Sequence, residues 1–498
     1  MTHDTVPALV VAGVKSGCGK TSVALGLMRS LARRGHIVAP FKAGPDFIDP
    51  GHHALAAGRT SHNLDAWMCG VPGVAAIYER HAAGADAVVV EGVMGLFDGF
   101  SAVDETGSTA ELAKLLDLPV LLVIDAASMA RSVAALAQGF VRFDLQLRFC
   151  GVALNNAGSP SHAALLTEAF RTALPDVPLW GVLTRCESIA APSRHLGLVT
   201  AEDSPDLLPR LDALADWLEA SLDLSFFHGI EPHPRLPDPT PHPGGPGGMI
   251  PPGGSRAAPV RVRAEPGGGV QGQRPCRVRA EPGGCRAAPC IGVACDRAFS
   301  FYYGENLRLL EAAGARLVPF SPLDDAGLPE GLGGLYFGGG YPELHAVKLT
   351  ANAAMRRAVR DFCAAGRPVY AECGGFMYLM ESLVDLEGKS HGLCGVFPMT
   401  AVMGGRFAAL GYREVTTRVA SCLGPAGTVL RGHEFHYSRL AAVPDGLPAI
   451  YAMTGRKGVV AGPEGFVAGR TLGSYVHLHF GSNPAAAAAF VAACAEGA

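Results

Sequence analysis

The stretch Val10–Ser22, VVAGVKSGCGKTS, constrains this chain more than any other. An apolar run, a glycine-rich turn and then Lys20-Thr21 at the head of an apolar-periodic segment read as strand, loop and helix. The helix is expected to stop at Arg33-Arg34-Gly35, with basic residues in its last turn and glycine just beyond. This layout points backbone N–H groups and the positive end of a helix dipole at an anion. Lys20 would neutralise phosphate oxygens, and the Thr21 hydroxyl would reach Mg²⁺. Val14 stands where the standard Walker A pattern has its first glycine. The spacing instead fits the deviant form Lys-x-Gly-x-Gly-Lys-Thr, which makes Lys15, Gly17, Gly19, Lys20 and Thr21 the expected ATP-binding residues.

The residues that follow extend the same unit. Ile37–Phe41 reads as a second strand and runs into Lys42-Ala43-Gly44-Pro45-Asp46-Phe47-Ile48-Asp49-Pro50. Unpaired carboxylates are too costly for a core, so Asp46 and Asp49 belong to a strand-end loop, where open α/β sheets hold ligands. Ala87–Val90 is an apolar strand closed by Glu91, a carboxylate placed to meet a metal ion, and Phe97-Asp98-Gly99 lies just beyond. Further strands at 120–124 and 151–154, with helices between, give the alternation of a doubly wound parallel sheet. Asn155-Asn156 fits either a base-reading role or a structural turn.

Net charge is −4, from 41 basic and 45 acidic residues, which gives no electrostatic footprint for nucleic acid. The longest apolar run, 485–495, is too short to span a bilayer. No charged-then-apolar leader opens the sequence, and thirteen cysteines are scattered without metal spacing, so reduced thiols in a cytoplasm are expected. From 231 to 289 the composition collapses into Pro, Gly, Arg and Ala, and RVRAEPGG occurs at 261–268 and again at 277–284. That reads as a flexible linker between domains at 1–230 and 290–498.

The second domain is again α/β. Strands at Ile291–Ala294 and Leu335–Phe337 precede Gly338-Gly339-Gly340-Tyr341-Pro342-Glu343, and Pro368–Ala371 runs into Glu372-Cys373-Gly374-Gly375 and a helix. A strand–Cys–helix corner resembles a nucleophile elbow with a thiol in place of the hydroxyl. Ser474–Phe480 reads as one strand carrying His477 and His479 on one face, and either is placed to take the proton of Cys373.

On these residues the C-terminal half resembles class I glutamine amidotransferase domains, and the N-terminal half is similar to dethiobiotin synthetase-like P-loop ATPases. The order of the two, with the segments Pro40–Pro50, Arg194–Val199 and His477–Phe480, resembles the cobyrinate a,c-diamide synthase family. The resemblance implies an ATP- and glutamine-dependent ligase that amidates a tetrapyrrole carboxylic acid through an acyl phosphate. It makes Cys373 the nucleophile and His477 its base, with Gly339 and Gly374 supplying the oxyanion hole. It gathers Thr21, Asp46 and Glu91 around Mg²⁺ and sets Asp49 and Asp98 at the substrate or the metal. Class I relatives often carry Glu two residues after the histidine; here that position is His479, so a Cys–His dyad is expected. No nucleic acid or membrane partner is implied, and a homodimer is compatible. The same architecture serves Ni-sirohydrochlorin diamidation, and a deviant P-loop alone also suits a nucleotide-driven switch.

Overall fold

The computed structural model describes residues 5–186, 189, 207–230, 233–234 and 288–496. The Arg194–Val199 segment lies outside them, as does the 231–289 stretch apart from 233–234 and 288–289.

Seven strands build the N-terminal sheet in the order 62–64, 38–43, 87–91, 8–13, 120–125, 149–157 and 179–184. Every neighbouring pair is parallel. Ala8–Gly13 is central and buried throughout, which is why it reads as an unbroken apolar run rather than an alternating one. Its side chains alternate between two cores: Ala8, Val10 and Ala12 enter one, Leu9 and Val11 the other. The helix Lys20–Arg33 begins at Gly19 and is followed by Gly35 at φ 87°, where the spacing puts its ends. It buries Val23, Leu27, Met28 and Leu31 together with Leu211, Leu214 and Leu218 of the helix Leu207–Ser221. Each such fully buried side chain is worth about 1.5–3 kcal/mol. The P-loop therefore leaves the carboxyl end of the central strand of a rigid sheet.

The C-terminal half has a six-stranded sheet in the order 316–320, 290–294, 332–337, 369–372, 471–474 and 466–468. It is parallel except for the last pair. Beside it stands a five-stranded antiparallel sheet, with 429–436 next to the edge strand 477–479. The two α/β units expected from the sequence are both present, but the single strand expected at 474–480 is not. Thr471–Ser474 belongs to the parallel sheet and His477–His479 to the antiparallel one. At the break, Tyr475 N donates to Glu464 Oε1 at 3.0 Å and Val476 N to Ser474 Oγ at 3.0 Å, so side chains take the donors that a continuous ladder would use. Among the described residues no helix is long and apolar enough to cross a membrane.

Candidate active site

Gly17 and Gly19 of the P-loop adopt φ 75° and 97°, a region open to glycine at little cost. A Cβ on Gly19 would lie 2.0 Å from Asn155 Nδ2, which itself donates to Cys18 O at 3.0 Å. Asn156 Nδ2 donates to Asp125 Oδ1 at 2.9 Å, and the other oxygen of Asp125 lies 3.4 Å from Lys15 Nζ. The two asparagines thus brace the loop from the strand ends behind it, the structural alternative of the two left open by the sequence.

Thr21, the first residue after the buried Lys20, donates its hydroxyl to Glu91 Oε1 at 2.5 Å. Glu91 is wholly buried and meets two further groups that sequence reasoning missed. Lys42 Nζ lies 3.0 Å from Glu91 Oε1, 2.6 Å from Asp49 Oδ2 and 3.1 Å from Gly92 O. His53 Nε2 lies 2.6 Å from Glu91 Oε2, and its Nδ1 lies 3.1 Å from Ser61 Oγ. Burial opposes the charge on both members of the Lys42–Glu91 pair. Even so, Glu91 followed by Asp49 drives the Lys42 pKa up, and Lys42 with the His53 and Thr21 hydrogen bonds holds Glu91 well below the usual carboxylate range. Asp46 Oδ1 accepts from Ile48 N at 2.8 Å and Asp49 N at 3.0 Å, fastening the loop to the start of the helix Asp49–Ala57. Asp98 Oδ2 accepts from Gly95 N at 3.0 Å and so braces its own loop.

The Thr21 hydroxyl and the Glu91 carboxylate are hard oxygen donors set side by side at a helix start, which fits Mg²⁺ shared with phosphate oxygens. Among the described residues no three His, Cys, Asp or Glu side chains form a protein-only metal cage.

At the second site, Cys373 joins the strand Val369–Glu372 to the helix Gly374–Leu379 with φ 45° and ψ −106°, a strained corner for a residue with a Cβ. Its N–H donates to Ser474 O at 2.7 Å, and its thiol donates to Phe435 O at 3.9 Å. Gly339 lies against the imidazole of His477: a Cβ there would fall 2.2 Å from Cε1. A Cβ on Gly374 would fall 2.9 Å from Gly340 N. Cys373, Gly339, Gly374 and His477 are therefore gathered at one place.

One expectation changes. Gly339 N donates to Phe301 O at 3.2 Å as half of a β-bridge, so its N–H is engaged within the fold rather than free for an oxyanion. Burial, then the charge of Glu343, raises the Cys373 thiol pKa. Burial, then His433 and His436, lowers His477 to about 3. Both shifts favour the neutral form of each group.

Groups that hold the strand carrying His477 are buried beside it. Glu372 Oε1 accepts from Leu478 N at 2.9 Å and from the Tyr370 hydroxyl at 2.6 Å, and Glu372 Oε2 accepts from the Tyr336 hydroxyl at 3.0 Å. Asn306 brackets the same strand, donating to Leu478 O at 2.7 Å and accepting from Phe480 N at 2.7 Å. Glu372, the residue before Cys373, thus fixes the backbone of the strand that carries His477.

The two halves meet along these elements. Tyr412 donates its hydroxyl to Asp65 Oδ2 at 2.6 Å, and Asp65 also caps the helix Ala66–Ala82 through Met68 N. Arg80 pairs with Glu305 at 3.1 Å, and Arg431 Nη1 donates to Trp67 O at 3.0 Å. Cys69 Sγ lies 3.5 Å from His479 Nδ1.

The same division appears in comparisons with known proteins. Residues 9–199 match the CobQ/CobB/MinD/ParA nucleotide binding domain, and residues 290–485 match the CobB/CobQ-like glutamine amidotransferase domain. The cobyrinate a,c-diamide synthase of Syntrophotalea carbinolica is 44% identical over 98% of this chain and 98% of its own length. The hydrogenobyrinate a,c-diamide synthase of Streptomyces coelicolor is 41% identical, again over 98% of each. The chain belongs to the a,c-diamide synthase family. A third family member, the cobyrinate a,c-diamide synthase of Dehalococcoides mccartyi strain 195, is 37% identical over 97% of both chains. Family membership accounts for a nucleotide-binding half and a glutamine amidotransferase half in one polypeptide.

Proposed function

We propose that this chain makes amides from the a and c acetate carboxylates of a cobyrinate-type corrin, with or without cobalt, using ATP and glutamine. The observation that carries the reading is the coexistence of a braced P-loop site and a strained Cys373 corner in halves packed directly on each other. The working division is 1–230 for the synthetase unit, 231–289 for the linker and 290–498 for the amidotransferase unit. A cytoplasmic location and a homodimer belong to the same proposal.

At the amidotransferase site the Cys373 thiolate attacks the side-chain amide carbon of glutamine, its proton passing to His477. The N–H groups of Gly340 and Gly374 face the oxyanion. His477 returns the proton to the leaving nitrogen, ammonia departs, and water releases glutamate from the thioester. At the other site Lys15, Gly17, Gly19, Lys20 and Thr21 hold ATP. Thr21 and Glu91 would hold Mg²⁺, which would neutralise phosphate charge, and Asp46 is assigned to the same ion. A carboxylate is a poor electrophile until its oxygen takes the γ-phosphoryl group; ammonia then displaces phosphate to give the amide. Asp49 and Asp98 are assigned to the acceptor side of this site. Water must be kept from the acyl phosphate, which favours the close packing of the two halves.

The test is mass change of cobyrinate and hydrogenobyrinate with ATP, Mg²⁺ and either glutamine or ammonium. Cys373→Ala should lose at least 100-fold of the glutamine route and keep the ammonium route. Lys20→Ala should lose both. Loss of both routes in folded Cys373→Ala would refute the division of labour.

A further inference from the structure

We propose that Phe47 is a positioning residue for His477, and that through it glutamine hydrolysis follows the occupancy of the phosphate site. The inference rests on the two-site reading above. Phe47 stands between Asp46 and Asp49, in the loop that leaves the strand Val38–Ala43. Its ring belongs to the synthetase half but lies among rings of the other: 4.6 Å from His477, 4.5 Å from Tyr303 and 5.6 Å from Phe301, centroid to centroid. His477 Nδ1 is buried with no hydrogen-bond partner among the described residues. Glu372 and Asn306 fix the backbone around the base, yet a backbone clamp leaves rotation of the imidazole free. What limits that rotation is packing, with Gly339 and Phe47 both against the ring.

The loop that carries Phe47 is held by groups of the phosphate site. Asp49 pairs with Lys42 at 2.6 Å, Asp46 caps Ile48 and Asp49, and Asn63 Nδ2 donates to Gly44 O at 2.8 Å and Asp46 O at 2.7 Å. Lys42 in turn touches Glu91, and Glu91 touches Thr21. A bound nucleotide with its cation, or an acceptor carboxylate, would compete for Thr21, Glu91, Lys42 and Asp46. Any rearrangement of the Lys42–Asp49 pair therefore moves the segment on which Phe47 rides. Asp49, assigned to the acceptor side, stands only two positions after Phe47, whose ring lies on His477, so the shift need not be large to change the orientation of His477.

The experiment uses the full chain as Phe47→Ala, Phe47→Leu and Phe47→Tyr. Glutamine hydrolysis is measured alone and with ATP, Mg²⁺ and cobyrinate, alongside amide formation from ammonium. In the parent, ATP with acceptor should raise glutamine kcat. In Phe47→Ala and Phe47→Leu that stimulation should vanish and the stimulated kcat fall about tenfold, equivalent to about 1.4 kcal/mol, with KM for glutamine within about twofold. Glutamine-dependent synthesis should fall about tenfold more than ammonium-dependent synthesis, and Phe47→Tyr should recover most of the stimulation. Full stimulation in Phe47→Leu, an equal loss of both nitrogen routes, or a change confined to KM would overturn the proposal. A parent that makes no amide from either nitrogen source would instead overturn the two-site reading on which it rests.

Discussion

Replacing Lys42 by Met tests the phosphate site where its electrostatics are most concentrated. Met keeps much of the length and apolar stem of lysine and removes the charge. In the parent, Lys42 is 2% exposed and Glu91 is 0% exposed, and their charged atoms are 3.0 Å apart. At that separation Coulomb attraction is about 5 kcal/mol for an effective dielectric of about 20, part of it offset by desolvation. Removing one member leaves Glu91 and Asp49 without their common cation, for which a loss of about 3–5 kcal/mol is expected. For a unit of this size that corresponds to about 6–20 °C in the thermal midpoint of its transition. The sign with pH follows from Glu91, whose folded pKa is depressed: its contribution is present above the unfolded value of about 4.5 and is lost as pH falls. That contribution is full in the parent at both pH 7.5 and pH 5, so the gap should narrow toward pH 5 through the variant, where burial without Lys42 favours a protonated Glu91. Lys42→Met/Glu91→Gln, with the charge removed from both partners, should recover more than half of the loss. Thermal unfolding of the full chain by circular dichroism at the two pH values reads all three quantities. A single-variant loss under about 2 °C, a gap that does not change with pH, or additive behaviour in the double variant would refute the argument.

Gly339→Ala should displace the His477 ring, because the new Cβ would start 2.2 Å from Cε1. Glutamine hydrolysis is expected to fall by at least 100-fold while ammonium-dependent synthesis persists, and equal loss of both would reject the placement of the ring. Glu372→Gln tests the backbone clamp. Burial raises Glu372 to about 7 despite its three hydrogen bonds, so its contribution is present below about pH 4.5 and lost as pH rises through 7. The thermal midpoint of Glu372→Gln relative to the parent should rise from pH 5 to pH 8, and a difference that stays constant would contradict that assignment.

What the sequence disclosed was local. The P-loop and the Cys373 corner each depend on a few consecutive residues whose backbone geometry admits little choice, and both formed where their spacing put them. The alternation at 474–480 was equally local, but period two does not say to which sheet a strand belongs, and the chain changes sheets inside it. The clamps on the base were not legible because their partners are far apart: Glu372 and Leu478 are 106 positions apart, Asn306 and Leu478 are 172. Lys42 did leave a signal. It stands in a strand buried along its whole length, where a cation requires a carboxylate, and the adjacent parallel strand ends in Glu91. Phe47 left none, since an apolar residue between two aspartates in a loop says nothing of what it will meet.

The electrostatics of the glutaminase site give the coupling through Phe47 a reason to exist. Burial raises the Cys373 thiol and lowers the His477 imidazole, and both shifts work against proton transfer from one to the other. On the two-site reading, a change in the environment of the imidazole or the thiol would ease that transfer. Bound glutamine would supply part of that change through its polar amide. The remainder has to come from the geometry of His477, whose ring is held on one flank by Gly339 and by a ring whose loop answers to the phosphate site. Ammonia released before an acyl phosphate exists is lost, and an acyl phosphate formed without ammonia is hydrolysed. A base repositioned by the acceptor site would guard against the first loss, and the packing of the two halves against the second.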